Sequence, residues 1–331
     1  MNQLELIARL KPETAKIDAA MRQDLASIGS PRLKEVLEYA IFNGGKRIRP
    51  LLLILAARLC VPQAGDDPGS GLYRLALAYE YIHAASLLHD DVIDHAVSRR
   101  GRATANRVWD NTHVILAGDF LHSRAMWLAG SLGGVDCLAA LSRATAGMVE
   151  AEFLQLANAE EMSRSRERYF AALTGKTGLL IAAACESGAI FAGAGDELRR
   201  ALAAFGNNLG LTFQIVDDLL DYLGDEGKTG KAVGNDFQEA KLTLPLLLAL
   251  ETAPEPDRDR LLQWLAAGPE ERGAAFHEAR ELIDRAGGFT AARRQAEALT
   301  KEALEALAPF AGRPELSILQ ALTAYVLKRE K

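Results

Sequence analysis

LALAYEYIHAASLLHDDVID, residues Leu75–Asp94, is an almost uninterrupted apolar run that ends in three aspartates. Its first part, Leu75–Leu88, has no polar face wide enough for a surface helix, so a helix built from it is buried most of the way round. On that helix Asp90 and Asp94 lie one turn apart and point the same way, with Asp91 about 100° round the axis. His83 and Leu87 fall on the stripe of Asp90 and Asp94. Carboxylates at this spacing stand about 5 to 6 Å apart at Cβ, and at an effective dielectric near 20 they repel by about 3 kcal/mol. An apolar helix keeps such a pair only with a cation nearby. Hard oxygen donors on one face suit magnesium, which retains several waters and bridges carboxylates to a substrate's phosphates. Taken alone, a DDxxD pattern is more often a solvated face or a cap.

At 331 residues the chain can hold one large domain or two ordinary ones, with a substantial core in either case. Alanine and leucine dominate, aromatic residues make up only 6%, and β-branched runs are scarce, which together predict an all-α protein. A net charge of -6 and a pI near 5.7 leave no extended basic surface, so nucleic acid is excluded as the main partner. Cys60, Cys137 and Cys185 are far apart and lack metal-ligand spacing, as reduced, buried thiols of a cytosolic protein would. Glu5, Arg9 and Lys11 interrupt the N-terminal stretch where a signal peptide needs an apolar core. No run of about 18 uncharged apolar residues is present, so no membrane-spanning helix is expected.

In chain order, residues 2–25 suit an amphipathic helix, and Ser30-Pro31 reads as a cap with proline at the first helical position. RLKEVLEYAIF then runs to Asn43-Gly44-Gly45, and KRIRP introduces the apolar helix LLLILAARLC. Lys46, Arg47 and Arg49 crowd a helix N-terminus, which favours anions, and a mixed Arg/Lys set suits a diphosphate; surface charge at a helix start is the other reading. Asp66-Asp67, among proline and glycines, is turn chemistry. Beyond Asp94 periodicity is lost, Gly101 lets the backbone turn, and Arg99, Arg100 and Arg102 stand close to the first acids. Two helices follow, over 114–133 and 137–159. In LTGKTGLL, Lys176 and Thr177 sit among glycines inside a helical pattern, either at a kink that exposes them or at a simple turn. FGNNLGLTFQIVDDLLDYLGD repeats the first theme: Gln214, Asp217, Asp218 and Asp221 form one stripe at i, i+3, i+4 and i+7. Two such stripes facing each other across a bundle could clamp several magnesium ions. A glycine-rich segment with Lys228, Lys231 and Lys241 then suits a lid, and 251–331 reads as supporting helix.

The set GGKRIRP, LLHDDVIDHAVSRRG, GDFL, GKT, FQIVDDLLDY, GKAVGND, KLTLP and AYVLKRE, in this order over most of the chain, resembles the trans-isoprenyl diphosphate synthases, or polyprenyl synthetases. The resemblance implies a single domain over residues 1–331, an all-α isoprenoid-synthase-type bundle around a deep central cavity, in a homodimer. It implies sequential condensation: an allylic diphosphate such as farnesyl diphosphate ionises, the double bond of isopentenyl diphosphate attacks the cation, and a proton is lost. By similarity Asp90, Asp91, Asp94, Asp217, Asp218 and Asp221 hold three Mg2+ ions. Lys46, Arg49, His83 and Arg100 would hold isopentenyl diphosphate, and Arg99, Lys176, Thr177, Gln214 and Lys231 the allylic diphosphate. His83 also fits a packed core histidine.

Short-chain members of the family carry a bulky aromatic at the fourth or fifth position before the first aspartate, where this chain has Ser86 and Ala85. The first motif also lacks the two-residue insertion of bacterial short-chain enzymes. By this analogy the product is long, about eight to ten isoprene units, of the octaprenyl or decaprenyl kind and suited to quinone side chains. Such a product partitions into a membrane, and the cytoplasmic enzyme would associate loosely with one. Met126, Trp127 and Met148 are candidates for the tunnel floor, or plain core. The alternatives are a farnesyl- or geranylgeranyl-length synthase, a terpene cyclase, and a noncatalytic subunit of a two-part synthase. The Asp217–Asp221 pattern does not fit a cyclase's second motif, and both acid motifs are intact, unlike a noncatalytic subunit's.

Overall fold

The computed structural model describes residues 2–61, 70–99, 101–224 and 233–329. Nearly every described element is helical, and the exception is a hairpin of two-residue strands, Ser98–Arg99 and Arg102–Ala103, turning at Gly101. The helices are α1 Gln3–Ala26, α2 Pro31–Ile41, α3 Ile48–Cys60, α4 Gly71–Ile93, α5 Ala105–Val108, α6 Asn111–Glu160, α7 Arg166–Leu173, α8 Leu179–Phe191 and α9 Asp196–Leu223. Then come α10 Asn235–Gln238, α11 Leu244–Thr252, α12 Glu255–Ala266, α13 Pro269–Arg285, α14 Gly288–Ala306 and α15 Leu316–Leu327. Ser30 caps α2, its Oγ accepting from Leu33 N with Pro31 at the first helical position.

The chain divides into two compact units, each assembled from three segments. One contains residues 1–145, 180–203 and 309–319. Its centre is α3 and α4, which pack on each other and are buried on nearly all sides, as their unbroken apolar runs require. Tyr73, Tyr79 and Tyr81 lie in that core, and each hydroxyl is partnered, by Glu13 and Arg58, by Ser187, and by Asp24. The other unit contains residues 146–179, 204–308 and 320–331, around a core that includes Ile215, Tyr222, Phe237, Phe276 and Phe289.

The two helices expected over 114–133 and 137–159 are present as α6, broken at Gly134 by backbone at φ 73°, ψ -169°. By length and a mean hydropathy of 1.3, a window of α6 reaches the range of a membrane span, which the sequence reading excluded on its charges. The break at Gly134 means that α6 is not one straight rod.

Candidate active site

In the first unit, α2 ends at Ile41 and the chain turns through Gly44 (φ 80°), Gly45 (φ 131°) and Arg47 (φ 52°) before α3. Lys46 is exposed in that turn. Arg49 enters the first turn of α3, where its Nε is enclosed without a hydrogen-bond partner among the described residues and burial pushes the guanidinium pKa down, against the attraction of Glu80. A cation destabilised in this way favours an anion beside it. Arg47, in contrast, is buried and bonded to Asp18, Glu80 and the carbonyl of Ile41. Half-buried His83 lies on α4 one turn beyond Glu80.

α4 delivers the first acids. Asp90 and Asp91 occupy its last turn and Asp94 is its C-cap, donating its backbone N–H to the carbonyl of Asp90 at 2.8 Å. Carboxylates at a helix C-terminus face the negative end of the dipole, which adds to their mutual repulsion. Asp91 is 5% exposed and is met by Arg99, whose Nε and Nη2 both lie 2.8 Å from Oδ1. Asp90 is half-buried and Asp94 exposed. The hairpin that carries Arg99 to Asp91 was not foreseen, so Arg99, read from the resemblance as a diphosphate ligand, stands here as the first motif's own counter-charge. A cavity of about 40 Å³ is lined by Asn43, Ala84, Leu87, Asp91 and Arg99 among others. Ala85 is buried, Ser86 bonds the carbonyl of His83, and Met126 is half-buried.

In the second unit, Thr174–Gly178 is a π-helical turn between α7 and α8, an irregularity of the kind that bends helices, and Lys176 is exposed on it. A Cβ at Gly175 would press into Ala151 and stand 2.7 Å from the carbonyl of Gly147, and one at Gly178 would stand 2.6 Å from Asn207 Oδ1. Glycine is what lets the turn sit this close. Lys176 donates to Glu152 at 3.0 Å and Gln155 at 3.2 Å, and Thr177 donates to Gln214 at 3.4 Å.

Asp218 is 4% exposed and accepts from Tyr169 at 2.6 Å and from Gln214 at 3.2 Å. Burial above all, with Asp236 and Asp217 nearby, pushes its carboxyl up to about 7 despite those two hydrogen bonds. Asp221 accepts from the backbone of Asp236 at 3.0 Å and is pushed up to about 6, again mainly by burial and by the Asp236 charge. Asp217 accepts from Arg329 at 2.8 Å, and Arg329 also lies over the ring of Phe213. A cavity of about 420 Å³ brings together Lys176, Thr177, Gln214, Asp218, Asp236 and Lys241. Tyr169, Asp236 and Arg329 are absent from the sequence-derived set; GKAVGND and AYVLKRE carried a signal for the last two, and nothing local marked Tyr169. Arg100 and Lys231 lie outside the described residues.

Among the described residues no three acidic, histidine or cysteine side chains converge as a ready-made metal cage. The donors nevertheless fit a hard divalent cation: they are carboxylates, Asp218 and Asp221 are held above their ordinary pKa, and magnesium needs only one or two of them besides water and phosphate.

The polyprenyl synthetase profile matches residues 30–283. Octaprenyl diphosphate synthase of Escherichia coli (strain K12) is 34% identical over 96% of this chain and 99% of its own. A short chain isoprenyl diphosphate synthase of Methanothermobacter thermautotrophicus is 35% identical over 99% of both chains. The crystal structure of a decaprenyl diphosphate synthase from Rhodobacter capsulatus superposes with a TM-score of 0.87 at 37% identity, covering 99% of each chain.

Proposed function

Since the chain belongs to the polyprenyl synthetase family and is a prenyltransferase, we propose that it makes long-chain all-trans polyprenyl diphosphates from isopentenyl diphosphate and an allylic diphosphate. The observation that carries the reading is the cavity in which Lys176 and Lys241 stand around the raised carboxyl of Asp218; in the other unit the enclosed guanidinium of Arg49, destabilised by burial, supports it. Small, buried Ala85 and half-buried Ser86 ahead of Asp90 support the long product, as does the end-to-end likeness to an octaprenyl diphosphate synthase.

In the proposed reaction the allylic C–O bond breaks and both of its electrons leave on diphosphate. The double bond of isopentenyl diphosphate then forms the new C–C bond, and loss of a proton restores an alkene. Family members are metal-dependent, and here Asp90, Asp91, Asp94, Asp217, Asp218 and Asp221 would hold Mg2+, which when bound neutralises charge growing on the leaving diphosphate. Lys176 and Thr177, presented by the π turn, bind that diphosphate in the proposal, and Gln214 orients both Thr177 and Asp218. Arg99, which pairs with Asp91, would contribute a further positive charge beside the first acids. Lys46, Arg49 and His83 hold the unreactive diphosphate of the second substrate. Positive charge placed where negative charge develops favours the transition state over the ground state.

We assign the chain a homodimer, supported by exposed Ile115, Leu116, Trp127 and Val135 on α6, which a partner would cover. A reducing, cytoplasmic setting is supported by free Cys60, Cys137 and Cys185, and the apolar product would pass to a membrane. Incubation with labelled isopentenyl diphosphate, farnesyl diphosphate and Mg2+, then chromatography of the dephosphorylated product, tests the function. The expected chain holds about eight to ten isoprene units. A product of three or four units (about the farnesyl to geranylgeranyl range) would favour the short-chain relative's activity. A cyclic hydrocarbon, or no product, would remove the synthase reading.

A further inference from the structure

Three cations stand in the four residues Lys46–Arg49, and the resemblance gives a role to only two of them. Arg47 differs from Lys46 in its burial and from Arg49 in its partners. It is 6% exposed, and its nitrogens are engaged on three sides: Nε with Asp18 Oδ1 at 2.9 Å, Nη1 with Glu80 Oε1 at 2.8 Å, Nη2 with the carbonyl of Ile41 at 2.8 Å. All three nitrogens bond to protein acceptors. The acceptors come from α1, from α4 and from the end of α2, so one rigid planar fork ties three elements together. Its backbone is left-handed at φ 52°, ψ 37°, a conformation that a side chain with a Cβ seldom adopts unless the surroundings enforce it. The carbonyl of Arg47 also accepts from the N–H of Leu51, a bond of the first turn of α3. The turn therefore sets Lys46 on one side of Arg47 and Arg49 two residues beyond, in the first turn of α3. Glu80, the more enclosed of the two carboxylate anchors, lies three residues before His83 on α4.

We propose that Arg47 is a positioning residue for the isopentenyl diphosphate site: it fixes the turn bearing Lys46 and Arg49 against the helix bearing His83 without touching the substrate. The proposal rests on the reading that those three residues hold isopentenyl diphosphate. Preorganised cations lose less freedom when the anion binds, so the effect falls on affinity for that substrate. Allylic diphosphate binding is left alone.

Steady-state kinetics on the full-length enzyme test this. Arg47→Gln alone strands Glu80, so the main variant is the double change Arg47→Gln with Glu80→Gln, and Asp18→Asn, at a side chain 43% exposed, loosens one anchor without emptying a buried site. In the double variant KM for isopentenyl diphosphate rises about tenfold or more, while kcat and KM for the allylic substrate stay within about threefold. Asp18→Asn moves the same constant in the same direction by about two- to fivefold. Arg47→Lys does not restore the wild-type constant, because a point charge cannot satisfy three acceptors. A role in folding alone would lower the active fraction, and with it kcat, and leave both KM values in place. Wild-type KM for isopentenyl diphosphate in Asp18→Asn and in folded double variant overturns the proposal, as does an equal change in both KM values. Lys46→Ala separates two failures: if it raises that KM and the Arg47 variants do not, only the role of Arg47 falls; if none of them does, the site assignment falls as well.

Discussion

Asp218 is a carboxyl group that its surroundings hold up to about 7, well above the ordinary 3.8, because it is buried beside Asp236 and Asp217. Asp221 is raised to about 6 and Asp236 is raised as well, both chiefly by burial. A raised carboxyl binds a proton in the folded protein that the unfolded chain has already released. Its stabilising effect is therefore complete below the ordinary value and disappears as pH climbs through the folded-state value. Chelator-treated protein should melt at a higher temperature at pH 6 than at pH 8, and Mg2+ should raise Tm more at pH 8, where fewer protons compete for the same oxygens. Melting curves that do not move between those two pH values would contradict the assignment of Asp218 and Asp221 as destabilised acids. The aspartates were legible in the sequence because they recur at helical spacing. Their counter-groups were not: Tyr169 and Arg329 reach Asp218 and Asp217 across 49 and 112 residues, distances at which no local pattern survives.

Helix α4, helix α9 and the break between the halves of α6 all follow from periodicity and glycine, and the sequence predicted each. The hairpin at Ser98–Ala103 did not follow, since strands of two residues are too short to show alternation. The π turn lies between these cases: the glycines marked an irregularity, and its form depends on how closely α6 approaches. Alanine ordinarily exceeds glycine in a helix by about 1 kcal/mol. At Gly175 the sign reverses, because the added methyl would crowd Ala151 and the carbonyl of Gly147. Gly175→Ala is expected to lower stability by about 1 to 3 kcal/mol in denaturant unfolding, whereas Gly29→Ala, with open space around it, should stay within about 0.5 kcal/mol of wild type. Stability in Gly175→Ala equal to or above wild type would mean that the turn tolerates a methyl group and that its glycines are not there for close packing.

At the scale of the whole molecule, each compact unit draws on three separated segments, so no linker or composition shift could announce the division in the sequence. The first acid cluster belongs to one unit and the second to the other. Both clusters serve the same proposed reaction, which makes their contributions interdependent. Groups that serve one transition state as a set lose function together, and removing a second member adds little to the damage done by the first. The measurement is turnover of isopentenyl diphosphate by Asp90→Asn, by Asp218→Asn and by the double variant, with folding checked by circular dichroism. Each single variant should lose about 100-fold or more, and the double variant should fall within about tenfold of the poorer single one. A double variant whose loss is the product of the two single losses, or a single variant that turns over at the wild-type rate, would contradict that interdependence.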